Sequence, residues 1–357
     1  MQPRARPSMD TVRAPNASGV LGIPMVDSLA DDALSQYCIA AVIPAYRVER
    51  EVGAVITSLP AYVRHIIVVN DASPDRTAQT LEAVARSDPR IEVTTHDRNR
   101  GVGGAVVSGF RRALELGAQI VVKIDGDGQA PVDKLSDLLA PLVRGHADMA
   151  KGNRFRDFEA LARMPAIRRF GNTALSFLVK AATGYWNIFD PTNGFFAVRA
   201  ELLRQMPLAR IDPSYFFEIS FLAQLYLLGA VIRDVDTPAR YGTERSSLSI
   251  ARVLLEFPPR LLLTLLRRLV LKYAVFDFSM GSIYLLSGIP LLAFGLVFGS
   301  AKWIHYSRLG ISAPTGTVML ATVTVILGVQ LLLSAAGVDL QSTPKDPVCP
   351  PPKPQSP

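Results

Sequence analysis

The sequence contains very little cysteine and histidine, which excludes disulfide-stapled and zinc-centred proteins. Only Cys38 and Cys349 occur among 357 residues, too few for a disulfide framework. The four histidines are scattered, without the close spacing of a zinc site. Charged residues make up 19% of the chain and hydrophobic residues 49%, so the chain as a whole is too apolar to be intrinsically disordered. The net charge of +7 is compatible with a nucleic acid, a membrane surface or an anionic substrate.

Both ends of the chain lack hydrophobic periodicity. Residues 1–36 are rich in Pro, Ala, Ser and Asp, and no apolar run follows their arginines, so they do not resemble a secretory signal. The segment from Pro344 onward is rich in proline. We therefore predict disordered tails at residues 1–36 and 339–357. We also expect the domain after the first tail to face the cytoplasm.

Between residues 37 and 250, short apolar runs rich in β-branched residues alternate with stretches of helical periodicity. This alternation is typical of an α/β domain in which a parallel sheet carries helices on both faces. Ligands of such sheets bind beyond the carboxyl ends of the strands, so we expect functional residues directly after each strand. The predicted strands are Ile39–Ile43, Ile66–Val69, Ile91–Thr95 and Ile120–Ile124.

The C-terminal third contains two long stretches without a charged residue, at residues 278–301 and 311–338. Each is longer than the roughly 20 apolar residues that cross a bilayer. A pair of buried core helices is the alternative, but such helices seldom stay uncharged over this length. We therefore predict two transmembrane helices, which return the chain to the side of the membrane from which it entered.

A leucine-rich segment at residues 251–277 precedes the first predicted span. Its polar residues recur at steps of three to four, which places them on one stripe of a helix. Residues 238–276 carry seven basic and two acidic side chains, so most of the excess charge lies there. We predict an amphipathic helix lying on anionic headgroups, because four cations make the alternative, a third span, costly. The stripe consists of Arg260, Thr264, Arg267, Arg268 and Lys272.

Two carboxylates follow the fourth predicted strand, in the motif Asp125-Gly126-Asp127-Gly128-Gln129. They would repel each other, and the motif contains no cation to balance them. A bound Mg²⁺ or Mn²⁺ would relieve this repulsion and neutralise a leaving diphosphate. Asp-x-Asp pairs are also common in ordinary loops, so the position at a strand end is what favours a metal site. The predicted metal ligands are Asp125, Asp127 and Gln129.

Polar and aromatic residues also follow the other predicted strands. Tyr46 could pack on a nucleobase, and Asp71 could accept hydrogen bonds from a base or a ribose. Gly101 and Gly103 follow the third strand, but Val106 stands where a dinucleotide-binding loop has its last glycine. A Rossmann dinucleotide site is therefore not expected.

Taken in order, these motifs resemble glycosyltransferase family 2 over residues 39–250. The resemblance is closest to the polyprenyl-phosphate glycosyltransferases, such as the dolichyl-phosphate mannose synthases and the bactoprenol glucosyltransferases, and it implies a GT-A (Rossmann-like) fold. It rests on the order and spacing of the motifs rather than on any one of them. The matching segments are Ile43–Tyr46, Asp71–Thr77, Asn99–Gly103, Asp125–Gln129, Lys151–Phe155, Arg169–Asn172, Asp190–Phe195, Phe217–Glu218 and Arg240–Leu248.

The sequence departs from the family pattern at several positions, which leaves the identity of the sugar and the base open. Arg47 and Val48 stand where the family often has Asn-Glu, so Glu49 is the candidate replacement for that acid. Ser247 stands where the family has a lysine, and Arg245 is the candidate substitute cation.

The resemblance implies roles for individual residues. From its position between the last strand and the amphipathic helix, we also expect a loop of about residues 238–248 to close over the donor and the acceptor. The residues expected to contact the nucleotide sugar are Pro44, Ala45, Tyr46, Glu49, Asp71, Ser73, Arg100, Gly101, Asp125 and Gly126. Those expected to hold a lipid phosphate are Arg154, Arg240, Arg245 and Ser246. Those expected to serve catalysis are Asp127, Asp190, Arg154 and Glu218.

The resemblance also implies the reaction. A membrane-bound, metal-dependent enzyme would transfer a hexose from a UDP- or GDP-sugar to polyprenyl phosphate, undecaprenyl or dolichyl, with inversion at the anomeric carbon. A phosphomonoester is largely ionised at neutral pH, since its second pKa is about 6, so the acceptor needs no strong general base. This agrees with the absence of histidine near the predicted metal motif. A homo-oligomer is also compatible with the resemblance.

Three other interpretations explain less of the sequence. A membrane polysaccharide synthase of the same family usually carries Q-x-x-R-W, yet neither Trp186 nor Trp303 stands in such a motif. A non-catalytic membrane scaffold would not need the ordered acidic and glycine motifs. A nucleic-acid binder would explain the basic charge but not the two apolar stretches, so no nucleic-acid partner is expected.

Overall fold

The computed structural model describes residues 29–154, 166–238 and 250–355 of the chain. Most of the predicted N-terminal tail lies outside these ranges. Its last residues form helix α1, Asp31–Leu34, and the Leu34 side chain is fully buried in the core. The prediction of disorder up to residue 36 is therefore wrong for this end of the segment, because an apolar anchor ties it to the domain.

A seven-stranded mixed sheet forms the centre of the domain. The strands lie in the order β3-β2-β1-β4-β6-β5-β7, and β6 alone among them runs antiparallel to its neighbours. The four strands expected from the sequence are confirmed as β1 to β4. The strand bounds are β1 Ile39–Ala45, β2 Val63–Asn70, β3 Ile91–Thr95, β4 Ile120–Lys123, β5 Met149–Asn153, β6 Phe196–Arg199 and β7 Ile232–Asp236.

Helices cover both faces of the sheet, as the alternating sequence pattern predicts. Successive residues of β1 point to opposite faces, so Ala40 and Val42 join one hydrophobic cluster while Ile39, Ala41 and Ile43 join the other. Both clusters are fully enclosed, which leaves the strand ends as the accessible edges. The helices of this domain are α2 Val52–Thr57, α3 Thr77–Ala85, α4 Gly101–Glu115, α5 Leu135–Val143, α6 Ala166–Thr183, α7 Ala200–Gln205 and α8 Phe217–Leu227.

Two long apolar helices follow the domain, α10 Met280–Leu309 and α11 Thr315–Gln341. Both are long and apolar enough to cross a membrane. They pack as an antiparallel hairpin through small residues. A Cβ on Gly328 would lie only 2.6 Å from the Leu292 backbone nitrogen, so glycine is what allows the two backbones this close an approach.

Helix α9, Ile250–Val270, connects the domain to the hairpin and continues into a π-helical turn, Leu271–Phe276. The polar stripe predicted on this helix turns largely toward the protein instead of toward lipid headgroups. Arg260 donates to the Asp212 carboxylate at 3.3 Å and to the Ser214 hydroxyl at 3.1 Å. Arg267 remains exposed, as do apolar residues on the outer face. The exposed apolar residues are Leu262, Leu263, Leu266 and Val270.

The strongest of these inward contacts joins Arg268 to Asp339 at the end of α11. The Arg268 guanidinium is only 2% exposed and binds both Asp339 oxygens, at 2.8 and 2.9 Å. It also donates to the Ala181 carbonyl at 2.8 Å. Trp186 donates to the same carboxylate at 3.2 Å. The headgroup prediction is therefore wrong for Arg268, because helical periodicity shows which residues share a face but not which way that face points.

The predicted C-terminal tail is ordered as well. Helix α11 continues through Gln341, and residues 342–355 return along the domain as a segment that we call the C-terminal strap. Its Val348 and Cys349 amides donate to the two oxygens of the buried Asp148 carboxylate, both at 2.9 Å. The prediction of disorder from residue 339 is therefore wrong. The prolines prevent a local helix or strand, but the amides between them bond to partners distant in sequence.

The C-terminal strap crosses the edge of the sheet at which β1, β4 and β5 begin. Gln119, just before β4, donates to the Lys353 carbonyl at 2.8 Å. Arg199, the last residue of β6, donates to the Pro350 carbonyl. The Cys349 side chain lies in the hydrophobic core, and this burial, together with the Asp148 carboxylate, raises the pKa of its thiol to about 11.

We expect Asp148→Asn to loosen the C-terminal strap. The native carboxylate accepts three backbone amides, from Val231, Val348 and Cys349, and an amide side chain can accept at one atom only. Buried N–H groups that lose an acceptor cost about 1–3 kcal/mol each. Hydrogen exchange across residues 345–353 should become at least tenfold faster, while exchange in β2 stays unchanged. An exposed Asp97→Asn variant serves as the control, and unchanged exchange in the strap would contradict this anchor.

Candidate active site

Six of the seven strands run in one direction, so their carboxyl ends meet at a single edge of the sheet. Antiparallel β6 begins at that edge, which brings the preceding loop, residues 190–195, to the same place. Gly194 in this loop lies directly against the end of β4. A Cβ there would stand 2.1 Å from Asp125 Oδ2 and 2.4 Å from Lys123 Nζ, so only glycine fits. The structure thus joins two motifs that are almost 70 positions apart.

Asp125 has a cation that the sequence motif did not reveal. Lys123, the last residue of β4, is 1% exposed, and its ammonium lies 2.7 Å from Asp125 Oδ1 and 3.8 Å from Glu218 Oε1. Burial opposes the charge of Lys123, but the carboxylates of Asp125 and Glu218 hold its pKa above the usual value. The expectation of an unbalanced carboxylate pair is therefore wrong for Asp125. The sequence did contain a signal for this ion pair, because Lys123 is a charged residue at the end of an otherwise apolar strand.

Asp127 lies two residues further along, in a turn at the open edge. Its carboxylate accepts the Gln129 backbone amide at 3.0 Å, and both side chains are partly exposed. Within the described residues no group of three or more histidines, cysteines or carboxylates converges on one point. Asp125 and Asp127 nevertheless suit a hard divalent cation, because Mg²⁺ commonly takes only one or two carboxylates and completes its shell with phosphate oxygens and water.

Asp71 is placed differently from the sequence expectation. It follows β2 but is buried, and its carboxylate accepts the backbone amides of Arg100 and Gly101, both at 2.8 Å. His96 Nδ1 lies 2.7 Å from the same carboxylate, and His96 Nε2 lies 2.9 Å from the Ser108 hydroxyl. In this structure the buried Asp71 carboxylate therefore fixes the first turn of α4 and is not exposed at the edge of the sheet. Sequence reasoning missed His96, which follows β3 directly.

The loop after β1 presents an aromatic side chain at the edge. Tyr46 is 41% exposed, and the Arg47 guanidinium lies 5.3 Å from its ring centroid. Arg47 has φ of 59° and Ala72 has φ of 53°, a left-handed conformation that is costly for residues other than glycine. Ser73 accepts the Arg47 amide at 3.3 Å, which joins the two strained loops.

Several other expected nucleotide contacts lie in these same loops. Glu49 accepts the Arg76 backbone amide at 2.9 Å, so this acid is engaged with the start of α3. Pro44 and Ala45 are buried at the end of β1, and Arg100 is exposed before α4. Hydrogen bonds thus join the loops that follow β1, β2 and β3. The side chains of Tyr46 and Arg100 are exposed among these loops.

Arg154 and Asp190 form a two-point ion pair beyond β5. Arg154 Nε lies 2.7 Å from Asp190 Oδ2, and Nη2 lies 3.2 Å from Oδ1. Asp190 is fully buried, whereas the Arg154 side chain is 39% exposed. The pair places a guanidinium at the open edge with its orientation set by a buried carboxylate.

Two further charged residues on strands support this part of the site, and sequence reasoning assigned neither of them a role. Asp234 on β7 accepts the Phe189 amide at 2.8 Å and the Asn153 side-chain amide at 3.1 Å. Burial raises the pKa of Asp234 to about 6. Lys151 on β5 donates to the Asn193 carbonyl, and burial lowers the pKa of Lys151 to about 8. Both are charged residues within short strands, and their partners come from distant loops.

The remaining expected residues, Arg240, Arg245 and Ser246, lie outside the described ranges. The carboxyl-end edge of the sheet therefore carries Tyr46, Asp125, Asp127, Arg154 and Glu218, with Gly194 directly against Asp125. Such an arrangement of carboxylates, cations and an exposed aromatic side chain at the carboxyl ends of α/β strands is typical of an enzyme acting on a nucleotide.

Comparison with known proteins agrees with this class. The model of the family described as Glycosyl transferase family 2 matches residues 40–206. Polyprenol monophosphomannose synthase of Mycolicibacterium smegmatis is 33% identical over 189 residues, covering 50% of this chain and 68% of the relative. A Methanococcus voltae relative named UDP-N-acetylglucosamine–dolichyl-phosphate N-acetylglucosaminyltransferase is 28% identical, covering 46% of this chain and 70% of the relative.

A solved structure shows the same fold. Glucosyl-3-phosphoglycerate synthase of Mycobacterium tuberculosis, crystallised with Mn²⁺, UDP-glucose and phosphoglyceric acid, superimposes with a TM-score of 0.50. The sequences are 23% identical, and the match covers 67% of this chain and 81% of that one. The chain belongs to glycosyltransferase family 2, and its sheet domain has the GT-A fold.

We expect Asp234→Asn to change how stability depends on pH. A carboxyl whose folded pKa is raised from 3.8 to about 6 stabilises the fold below pH 3.8, and this contribution is lost as pH rises through 6. Asparagine cannot ionise, yet it can accept the Phe189 amide. Relative to wild type, the variant should gain about 2 kcal/mol between pH 4.5 and 7.5.

The measurement is the thermal unfolding midpoint of the detergent-solubilised chain at a series of pH values. The midpoint of Asp234→Asn relative to wild type should rise by several degrees across this range. The matched control is Asp97→Asn, which removes an exposed carboxylate. A difference between variant and wild type that does not change with pH would contradict the raised pKa.

Proposed function

We propose that this chain transfers a hexose from a UDP- or GDP-sugar to polyprenyl phosphate, with inversion at the anomeric carbon, to form a polyprenyl-phosphate-linked sugar. One observation carries the proposal. The same chain has Asp125 and Asp127 at the carboxyl-end edge of a GT-A sheet and, after that domain, two long apolar helices. The names of the two relatives, which specify polyprenol and dolichyl phosphate acceptors, support the same class.

A divalent cation is part of the proposal. Asp125, Asp127 and Gln129 would hold Mg²⁺ or Mn²⁺, which would neutralise the negative charge that develops on the leaving diphosphate. Lys123 holds the Asp125 carboxylate in place, since its ammonium lies 2.7 Å from that carboxylate. Gly194 keeps the loop before β6 close without filling the space beside Asp125.

The nucleotide is proposed to lie across the ends of β1 to β4. Tyr46 offers an exposed ring for the base, and the exposed Arg100 before α4 offers a guanidinium for anionic groups. Asp71 holds the first turn of α4 through the amides of Arg100 and Gly101, so its contribution is to position the turn. The residues proposed to line the donor site are Pro44, Ala45, Tyr46, Glu49, Ser73, Arg100, Gly101, Asp125 and Gly126.

The acceptor phosphate is proposed to bind Arg154, together with Arg240, Arg245 and Ser246, which follow β7 in the sequence. Guanidinium groups bind phosphate oxygens at two points, and Asp190 orients Arg154 for this contact. The phosphate attacks as an anion, so the site needs cations to hold it rather than a base to activate it. Glu218 is proposed to contact sugar hydroxyls, since it approaches the site beside Lys123.

We further propose that α10 and α11 span the membrane, with the catalytic domain on the cytoplasmic side and a homo-oligomer as a possible assembly. The inward contacts of Arg268 and the exposed leucines of α9 support this arrangement. They place a polar face on the domain and an apolar face outward.

We expect Asp127→Asn to lower the rate of sugar transfer at least a hundredfold, because a neutral amide binds a divalent cation poorly. The assay supplies membranes with Mg²⁺ or Mn²⁺, labelled nucleotide sugars and undecaprenyl phosphate. Product that extracts into organic solvent supports polyprenyl transfer, whereas a water-soluble polymer supports the polysaccharide synthase. No product with any donor supports the scaffold.

Asp133→Asn provides the control for Asp127→Asn, since it makes the same chemical change outside the metal motif. Full activity of Asp127→Asn, or wild-type activity in the presence of a chelator, would contradict metal dependence. A screen of UDP- and GDP-hexoses in the same assay identifies the donor.

We expect Arg154→Gln to raise KM for polyprenyl phosphate at least tenfold, with little effect on KM for the donor. Removing Arg154 alone leaves the buried Asp190 charge without its main partner, which also destabilises the chain. The double variant Arg154→Gln/Asp190→Asn should therefore recover the unfolding midpoint but not the acceptor KM. Recovery of both would assign the pair a purely structural role.

A further inference from the structure

A second site lies on the domain, away from the edge described above. It is a cleft of about 620 Å³ between α8 and α9. Basic groups dominate its polar lining, with Asp212 as the carboxylate among the described lining residues. We refer to it as the basic cleft. Its charged lining residues are Arg210, Asp212, Arg260, Arg267 and Arg268.

The ion pairs of the basic cleft leave a net positive charge. Asp212 pairs with Arg260 at 3.3 Å, and Asp339 pairs with Arg268 at 2.8 Å. Arg210 and Arg267 are both exposed, and neither pairs with a carboxylate in the parts of the chain that the structure describes. Two guanidinium groups are therefore available to an anion.

The basic cleft is also positioned at the level of a membrane surface. Arg268 in its lining binds Asp339 in the last turns of α11, so the cleft lies where this long apolar helix ends. Leu263, also in the lining, is 68% exposed, and Leu262 and Leu266 beside it are exposed too. A cationic cleft bordered by exposed leucines matches a ligand with an anionic head and an apolar chain.

The basic cleft is separate from the transfer site. Helix α8 lies between them, since Phe216, Ser220 and Gln224 face the cleft while Phe217 and Phe221 pack on Phe196 of the sheet. A phosphate bound in the cleft would therefore be on the far side of α8 from Asp125. Because of this separation, we do not expect the phosphate of the sugar acceptor to occupy the basic cleft.

We propose that the basic cleft binds the phosphate of an anionic phospholipid headgroup. Arg210 and Arg267 hold the phosphate, and the acyl chains lie along the exposed leucines of α9. Such a bound lipid seats the domain on the membrane surface, independently of the donor and acceptor.

The test measures lipid retention in nanodiscs that contain phosphatidylcholine with or without phosphatidylglycerol. Native mass spectrometry should show phosphatidylglycerol retained by the wild-type chain, and Arg210→Gln/Arg267→Gln should retain at least fivefold less. Arg86→Gln, which removes an exposed cation of α3, should retain as much as wild type. The turnover rate in detergent with saturating substrates should be the same for all three chains.

Equal retention by wild type and the double variant would overturn the proposal. Competitive loss of phosphatidylglycerol on adding undecaprenyl phosphate would also overturn it, because the cleft would then be an acceptor site. Loss on adding inorganic phosphate at equal concentration would show that the cleft recognises a free anion and not a lipid. Both exposed arginines lack a carboxylate partner in the described chain, so their removal should leave the unfolding midpoint unchanged.

Discussion

The arrangement of the candidate active site depends on the ion pairs of the buried Lys123 ammonium. It lies at the last position of β4 and binds the Asp125 carboxylate at 2.7 Å, with Glu218 of α8 at 3.8 Å. A charge with 1% exposure is tolerated only where it is paired, so Lys123 draws a loop, a strand and a helix to one point. Gly194 then allows the loop before β6 to close against the same pair. The shape of the site follows from satisfying one buried charge.

A second buried ion pair holds the sheet domain against the end of the long apolar helix α11. Arg268 and Asp339 join α9 to the end of α11, and the carbonyl of Ala181 on α6 completes the contact with the domain. The C-terminal strap adds a second tether, through Asp148 and the core residue Cys349. The domain is thus held to the helical hairpin at two separate places. These contacts fix the position of the sheet domain relative to α10 and α11.

Most of the fold could be predicted because its signals are local. The first four strands and both long helices follow from short apolar runs and uncharged stretches, and the order of motifs indicated the family. The predictions that failed concern partners distant in sequence. The arginines of α9 were expected to face lipid, yet Asp212 and Asp339 draw two of them inward. Asp71 was expected to face a ligand, yet His96 and the start of α4 enclose it.

By itself, the sequence determined the class of fold, the edge of the sheet proposed for the chemistry, and the residues Asp125, Asp127, Arg154 and Asp190 as candidates. These depend on periodicity and on motif spacing, which are properties of neighbouring residues. Only the tertiary structure decided which charges are buried together. It paired Lys123 with Asp125, Arg268 with Asp339, and the proline-rich end of the chain with Asp148. The physical reason is that a buried charge must find a partner, and the fold supplies that partner from anywhere in the chain.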